Sequence, residues 1–180
     1  MRPVHWLTLL AGVFVCGTLA AQTESGPKAG SKVESADVHV TTGDDAGKKV
    51  DVAAQGKNKT MVLVFVQAEK WDRPMARFLK ELDKQLAERK DVSVAAVWLT
   101  DDVEKAKDYL PKAQQSIQLS RTVWTVFAGD KTGPKGWDIN NDAHLTVVIA
   151  DKGKIAGSAG YLSVNETDVR GVLQKLPKKK

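Results

Sequence analysis

The chain of 180 residues holds a single cysteine, Cys16, close to its start. From residue 22 onward there is no thiol to close a disulfide, attack an electrophile or hold a soft metal. Histidine is nearly as scarce. His5, His39 and His144 are the only three, with no H-x-x-x-H pair, so neither a metal nor a cofactor is expected. Aromatic residues make up 6% and are not interleaved with a basic stripe, which leaves nucleic acid without support as a partner. No G-x-S-x-G, P-loop or Rossmann fingerprint occurs. A strong charge of one sign is missing too. The formal net charge is +5, Arg2 and Lys178 to Lys180 supply most of it, and the body of the chain is close to neutral.

A long apolar run is found only at the start, from Trp6 to Val15. It follows Arg2 and precedes Thr18, Ala20 and Ala21, the layout of a cleaved secretory signal peptide over residues 1–21, with the cut after Ala20 or Ala21. It falls short of the roughly 20 residues that a stable membrane span needs. The expected destination is therefore secreted or periplasmic, and cleavage removes Cys16. A lipid-acceptor reading of that cysteine is opposed by Val15, since a small residue is wanted there. Residues 22–36, QTESGPKAGSKVESA, are small and polar and read as a disordered linker. Residues 37–176 read as one domain, and residues 177–180 as a basic tail, solvated or weakly drawn to an anionic surface.

Within the domain, DVHVTT and KKVDVAA alternate around GDDAG and predict a β-hairpin. MVLVFVQ is a continuous apolar run, as expected of a strand buried on both faces. Met75, Phe78, Leu79, Leu82 and Leu86 then recur at helical spacing, with Asp72 placed to cap the helix and Pro74 suited to its first turn. DVSVAAVWL predicts a second buried strand. A helix capped by Asp101 or Asp102 follows, with Val103, Ala106, Tyr109 and Leu110 inward and Pro111 ending or kinking it. TVWTVFA is a further strand, GDKTGPKGWDINNDA a long loop, and LTVVIADKGKIAG a hairpin turning at Lys152 and Gly153. SVNETDVRGVLQKL closes the chain as a helix with Ser163 and Glu166 spaced as a capping box. Strand-helix-strand units force parallel pairing early and the tight hairpin forces antiparallel pairing late, so an α/β fold with a mixed sheet and helices on both faces is expected.

In this order and spacing, DAGKKVDVAAQGKNKTMVLVFVQAE, WDRPMARFLKEL, GWDINNDA and HLTVVIADKGKIAG resemble the redoxin branch of the thioredoxin-like superfamily, which includes peroxiredoxin-like and thiol-specific antioxidant proteins. The resemblance spans roughly residues 37–176 and implies a thioredoxin-like fold with an N-terminal hairpin. It also implies thiol chemistry where WDRPM stands. Against the motif Trp-Cys-Gly-Pro-Cys, Asp72 and Met75 replace both cysteines; against a peroxidatic cysteine followed by proline, Arg73 replaces it. The proline that the family holds in cis would fall at Leu145. A cis bond before a residue other than proline costs about 2.5–4 kcal/mol, so Leu145 is expected to be trans.

An aspartate at a helix N-terminus caps it; unlike a thiolate it cannot exchange disulfides. The expected function is thus a secreted or periplasmic binding or scaffold module without thiol redox chemistry, rather than an enzyme. Its site is expected at the family's active positions, Trp71, Asp72, Arg73, Pro74, Met75, Trp137, His144 and Leu145. Arg73 is either solvated or an anion contact, and Trp71, Trp124 and Trp137 either pack or line a ligand groove. The partner is expected to be a protein or peptide of the cell envelope. Two alternatives are a thiol-independent enzyme using Asp72, Arg73, Asp142 and His144, and a structural envelope protein held by its basic tail.

Overall fold

A computed structural model describes residues 22–178. The expected signal peptide, Cys16 with it, and the last two lysines lie outside the described residues. In chain order the strands and helices are β1 (Gln22–Thr23), β2 (Asp37–Val40), β3 (Lys49–Asp51), α1 (Val52–Gly56), β4 (Thr60–Gln67), α2 (Arg73–Gln85) and β5 (Val92–Thr100). They continue with α3 (Val103–Ile117), β6 (Thr122–Ala128), β7 (Leu145–Asp151), β8 (Lys154–Tyr161) and α4 (Val169–Gln174).

The strand at the middle of this arrangement is the apolar run MVLVFVQ. Val62, Val64 and Val66 of β4 face one layer and Met61, Leu63 and Phe65 the other, all of them buried. β5 lies parallel to β4 and β6 parallel to β5, as successive strand-helix-strand units require. β7 is antiparallel to β4 and to β8, because the turn at Lys152 and Gly153 is too short for a crossover. The mixed sheet has eight strands in the order β1-β8-β7-β4-β5-β6-β2-β3. α2, α3 and α4 share the layer of Val62, Val64 and Val66. The opposite layer is covered by α1, through Val52, and by the loop carrying Trp137 and Ile139.

Several local expectations change. Residues 22–36, read as a disordered linker, run along the sheet instead. β1 pairs with β8, Ser25 Oγ meets Thr146 Oγ1 at 2.6 Å, and Gly26 N donates to Asp138 O at 2.9 Å. Small polar residues cannot build a core alone, but here they satisfy one another against an edge that already exists. KKVDVAA leaves the hairpin at Asp51, whose carboxylate accepts from Ala36 N and Ala53 N and caps α1. α3 continues past Pro111 to Ile117 and closes at Gln118, which has a φ of 59°. Tyr109, expected inward, is 41% exposed. The capping box of the last helical segment is Asn165 with Asp168, not Ser163 with Glu166, and a 3-10 turn over Glu166–Asp168 precedes α4.

The sequence reading also misses Asp83. It sits on the inner side of α2 at 4% exposure, a position usually apolar. Its carboxylate accepts from the amides of Ser120, Arg121 and Thr122 and from the hydroxyls of Ser120 and Thr122, at 2.6–3.0 Å. Burial pushes the carboxyl pKa up, and these hydrogen bonds outweigh it, leaving the pKa below its ordinary value. Replacing Asp83 with Ala strands three amides, and the expected loss of unfolding free energy is about 3 kcal/mol. Because the folded pKa is the lower one, this stabilisation is complete above the ordinary carboxylate value of 3.8 and is lost as pH falls through the folded value. Urea midpoints measured from about pH 6 to about pH 2 should show that acid limb in the wild type and a flatter one in Asp83→Asn.

Candidate functional site

β4 ends at Gln67, whose amide donates to His144 O at 3.1 Å and whose side chain donates to Lys131 O at 2.9 Å. A single 3-10 turn over Ala68–Lys70 then delivers Trp71 and Asp72 to the start of α2. Asp72 is extended, with φ −141° and ψ 176°, and its Oδ1 accepts from Met75 N at 2.9 Å. Pro74 lies in the first turn, where no amide donor is required. Arg73 is exposed, and no ion pair holds it among the described residues. Met75 is 1% exposed and belongs to the core.

Trp71 is the pivot of an aromatic cluster. Its ring lies 5.4 Å from Trp98 and 5.7 Å from Trp124, nearly perpendicular to Trp124 at 83°. Trp98 and Trp124 are 5.6 Å apart, and Tyr109 of α3 lies 5.8 Å from Trp98. Such tilted and edge-on geometries let the positive edge of one ring meet the π face of another. Trp71 Nε1 donates to Tyr109 OH at 2.9 Å, which bridges the start of α2 to α3. Beside this bridge runs a shallow groove of ≈ 420 Å³, lined by Trp71, Asp72, Arg73, Tyr109, Lys112 and Ser116 among others.

The structure brings only part of the expected site together. Trp71, Asp72 and Arg73 line the groove, with Pro74 and Met75 behind them. Trp137 does not: it is fully buried in the opposite layer, 5.2 Å from Phe65. A groove shared by Trp71 and Trp137 is thus ruled out by the sheet between them, and Trp124 is likewise fully buried. Leu145 is trans, fully buried, and paired in register with both Val66 and Tyr161. His144 is half-buried, with its amide donating to Tyr161 O at 2.8 Å. Lys70 reaches the same loop through the carbonyls of Asn141 and Asp142.

No hydrogen bond or ion pair among the described residues joins Asp72 or Arg73 to Asp142 or His144. An acid-base pair is therefore not assembled there, and no cluster of three metal-ligating side chains occurs among the described residues. What the arrangement presents at the groove is two rings, of Trp71 and Tyr109, and two cations, of Arg73 and Lys112. Tyr109 and Lys112 were not foreseen. Only the fold brings them to Trp71, and no spacing in the sequence marks that contact.

No protein-family model and no curated protein matches the chain. Solved structures do. A peroxiredoxin-like protein from Aquifex aeolicus superposes with a TM-score of 0.60 at 15% identity, covering 87% of this chain and 92% of that one. Peroxidoxin BcpB from Mycobacterium tuberculosis gives 0.58 at 13% identity, over 83% and 96%. The exposed lipoprotein thioredoxin of Streptococcus pneumoniae gives 0.55 at 15% identity, over 79% and 100%. The fold is thioredoxin-like. Where the resemblance places that fold's thiols, at the start of α2, this thioredoxin-like chain has the cap Asp72 and the core residue Met75.

A cap of this kind has a measurable weight. Asp72→Ala is expected to destabilise the protein by about 1 kcal/mol, and Asp72→Ser or Asp72→Asn by only a few tenths. Thermal unfolding of the three variants checks it. A much larger loss in Asp72→Ala alone would mean that the carboxylate does more than cap.

Proposed function

We propose that the chain is an exported thioredoxin-like domain without thiol redox chemistry, serving as a binding module that takes a peptide segment of an envelope protein into the groove between α2 and α3. The observation that carries this reading is the start of α2. Its backbone keeps the strand-to-helix junction and helix dipole that the fold uses to activate a thiolate, while the two reactive positions hold a carboxylate already bonded to Met75 N and a thioether buried in the core. Neither group can be reversibly oxidised to a disulfide. Binding is what this surface retains.

The lining supports a peptide as the occupant. Trp71 and Tyr109 offer ring surface, and Tyr109 OH, having accepted from Trp71, keeps its own proton for a carbonyl or carboxylate. Arg73 and Lys112 stand on the groove with no ion-pair partner among the described residues, which favours an acidic segment. Export to the envelope rests on the layout of residues 1–21, and no helix of the described residues is long and apolar enough to cross a membrane.

Two measurements test the reading. The mature protein should reduce neither a disulfide nor a peroxide substrate above a heat-killed control; turnover would overturn the absence of thiol chemistry. Pull-down from a native envelope extract should retain a partner that Trp71→Ala/Arg73→Ala loses while its circular dichroism is unchanged. As a gain-of-function control, Asp72→Cys/Met75→Cys places a dithiol at the helix start, and it is expected to acquire dithiol-dependent insulin reduction.

A further inference from the structure

The end of the molecule opposite the groove carries a second feature that the groove does not use. β4 runs from Thr60 to Gln67, which separates its two ends by roughly 23 Å at a strand rise of about 3.3 Å per residue. At the Thr60 end, four segments converge. Thr60 is in register with Val92 of β5 and Asp151 of β7, so Lys59, Lys90 and Lys152 stand at the same end of neighbouring strands. Lys152 N donates to Lys59 O at 3.2 Å, and Arg89 Nη2 donates to Pro177 O at 3.2 Å, which draws Lys178 to the same place. Together they border an open cleft of ≈ 740 Å³.

The charges there are unequally engaged. Asp151 accepts from Thr60 Oγ1 at 2.7 Å, and Asp91 is gripped through both oxygens by Arg89. Glu88 is the remaining acid of the cleft. Lys59, Lys90, Lys152 and Lys178 are all exposed and have no ion-pair partner among the described residues. Lys179 and Lys180 extend the same charge in sequence. Neither an aromatic nor an arginine side chain lines the cleft, and the neighbouring Arg89 is already engaged by Asp91. Bidentate phosphate recognition and nucleic-acid binding are thus poorly served, whereas dispersed lysine charge suits a surface of many anionic headgroups.

We infer that this pole, Lys59, Lys90, Lys152 and Lys178, docks the protein on a bilayer rich in anionic phospholipid. The docked orientation turns the groove at the other end of β4 toward solvent. The four lysines sit on one end of the sheet and so fix which end faces the membrane.

Co-sedimentation of the chain with vesicles of one part phosphatidylglycerol to three parts phosphatidylcholine tests it. Binding is expected at about 10 mM salt, loss is expected near 0.5 M salt, and vesicles of phosphatidylcholine alone should not bind. At about fivefold per lysine near an anionic surface, Lys59→Gln/Lys90→Gln/Lys152→Gln should lower the partition coefficient on the order of 100-fold, and Lys178→Ser by about fivefold. Circular dichroism verifies that both variants fold. Equal binding to neutral vesicles overturns the proposal, as does undiminished binding by the Lys59, Lys90 and Lys152 variant. Retention on heparin without any vesicle binding overturns it in favour of a polyanionic polymer.

Discussion

The carboxylate of Asp83 holds the backbone of Ser120, Arg121 and Thr122 to the inner side of α2, and much of the molecule hangs on that bond set. α2 carries Trp71, Asp72 and Arg73 at its start; α3 carries Tyr109 and Lys112 and ends just before Ser120. The tie through Asp83 at the far end of α2 and the Trp71–Tyr109 hydrogen bond at its start together hold one wall of the groove against the other. A buried charge would ordinarily weaken a core. Here the acceptors are filled by amides that would otherwise have been left without partners, and the cost of desolvation is offset at both ends.

With the helices so fixed, the start of α2 becomes a well-defined junction that holds Asp72 and Met75 and no thiol. Its dipole is a property of the backbone and persists whatever side chain stands there. The reactivity of a thioredoxin-like site is a property of sulfur and does not persist. Asp72 uses the field to close the helix end, and Met75 fills core volume next to Phe78 and Leu79. The hydrogen bond from Trp71 to Tyr109 then closes the aromatic cluster over Trp98 and Trp124, giving a rigid floor of the kind on which binding surfaces are built.

Much of this was legible in the residues. The continuous apolar run of β4, the helical spacing from Met75 to Leu86 with its cap at Asp72, and the hairpin at Lys152 and Gly153 are periodic or turn signals, and each is local. What escaped was not local. Asp83 looks like a polar residue on an amphipathic helix until its partners from the α3–β6 connection are known. Residues 22–36 have the composition of a linker, and only an existing sheet edge gives their polar groups partners. Trp137 has the sequence context of a site residue, but the sheet puts it on the wrong side. The contact of Trp71 with Tyr109 depends on the width of a helix crossing that no spacing encodes.

The short β1 and the segment that follows it have one more consequence. β8 would otherwise be a long border strand, yet Gln22 and Thr23 pair with its end and Lys32 bridges to Lys154 at its beginning. The other border of the sheet is β3, three residues long, with Lys49 paired to Asp37 across the hairpin. Neither border offers a run of free backbone donors and acceptors to a strand from another molecule. Edge-to-edge pairing between copies of the chain is opposed at both borders of the sheet.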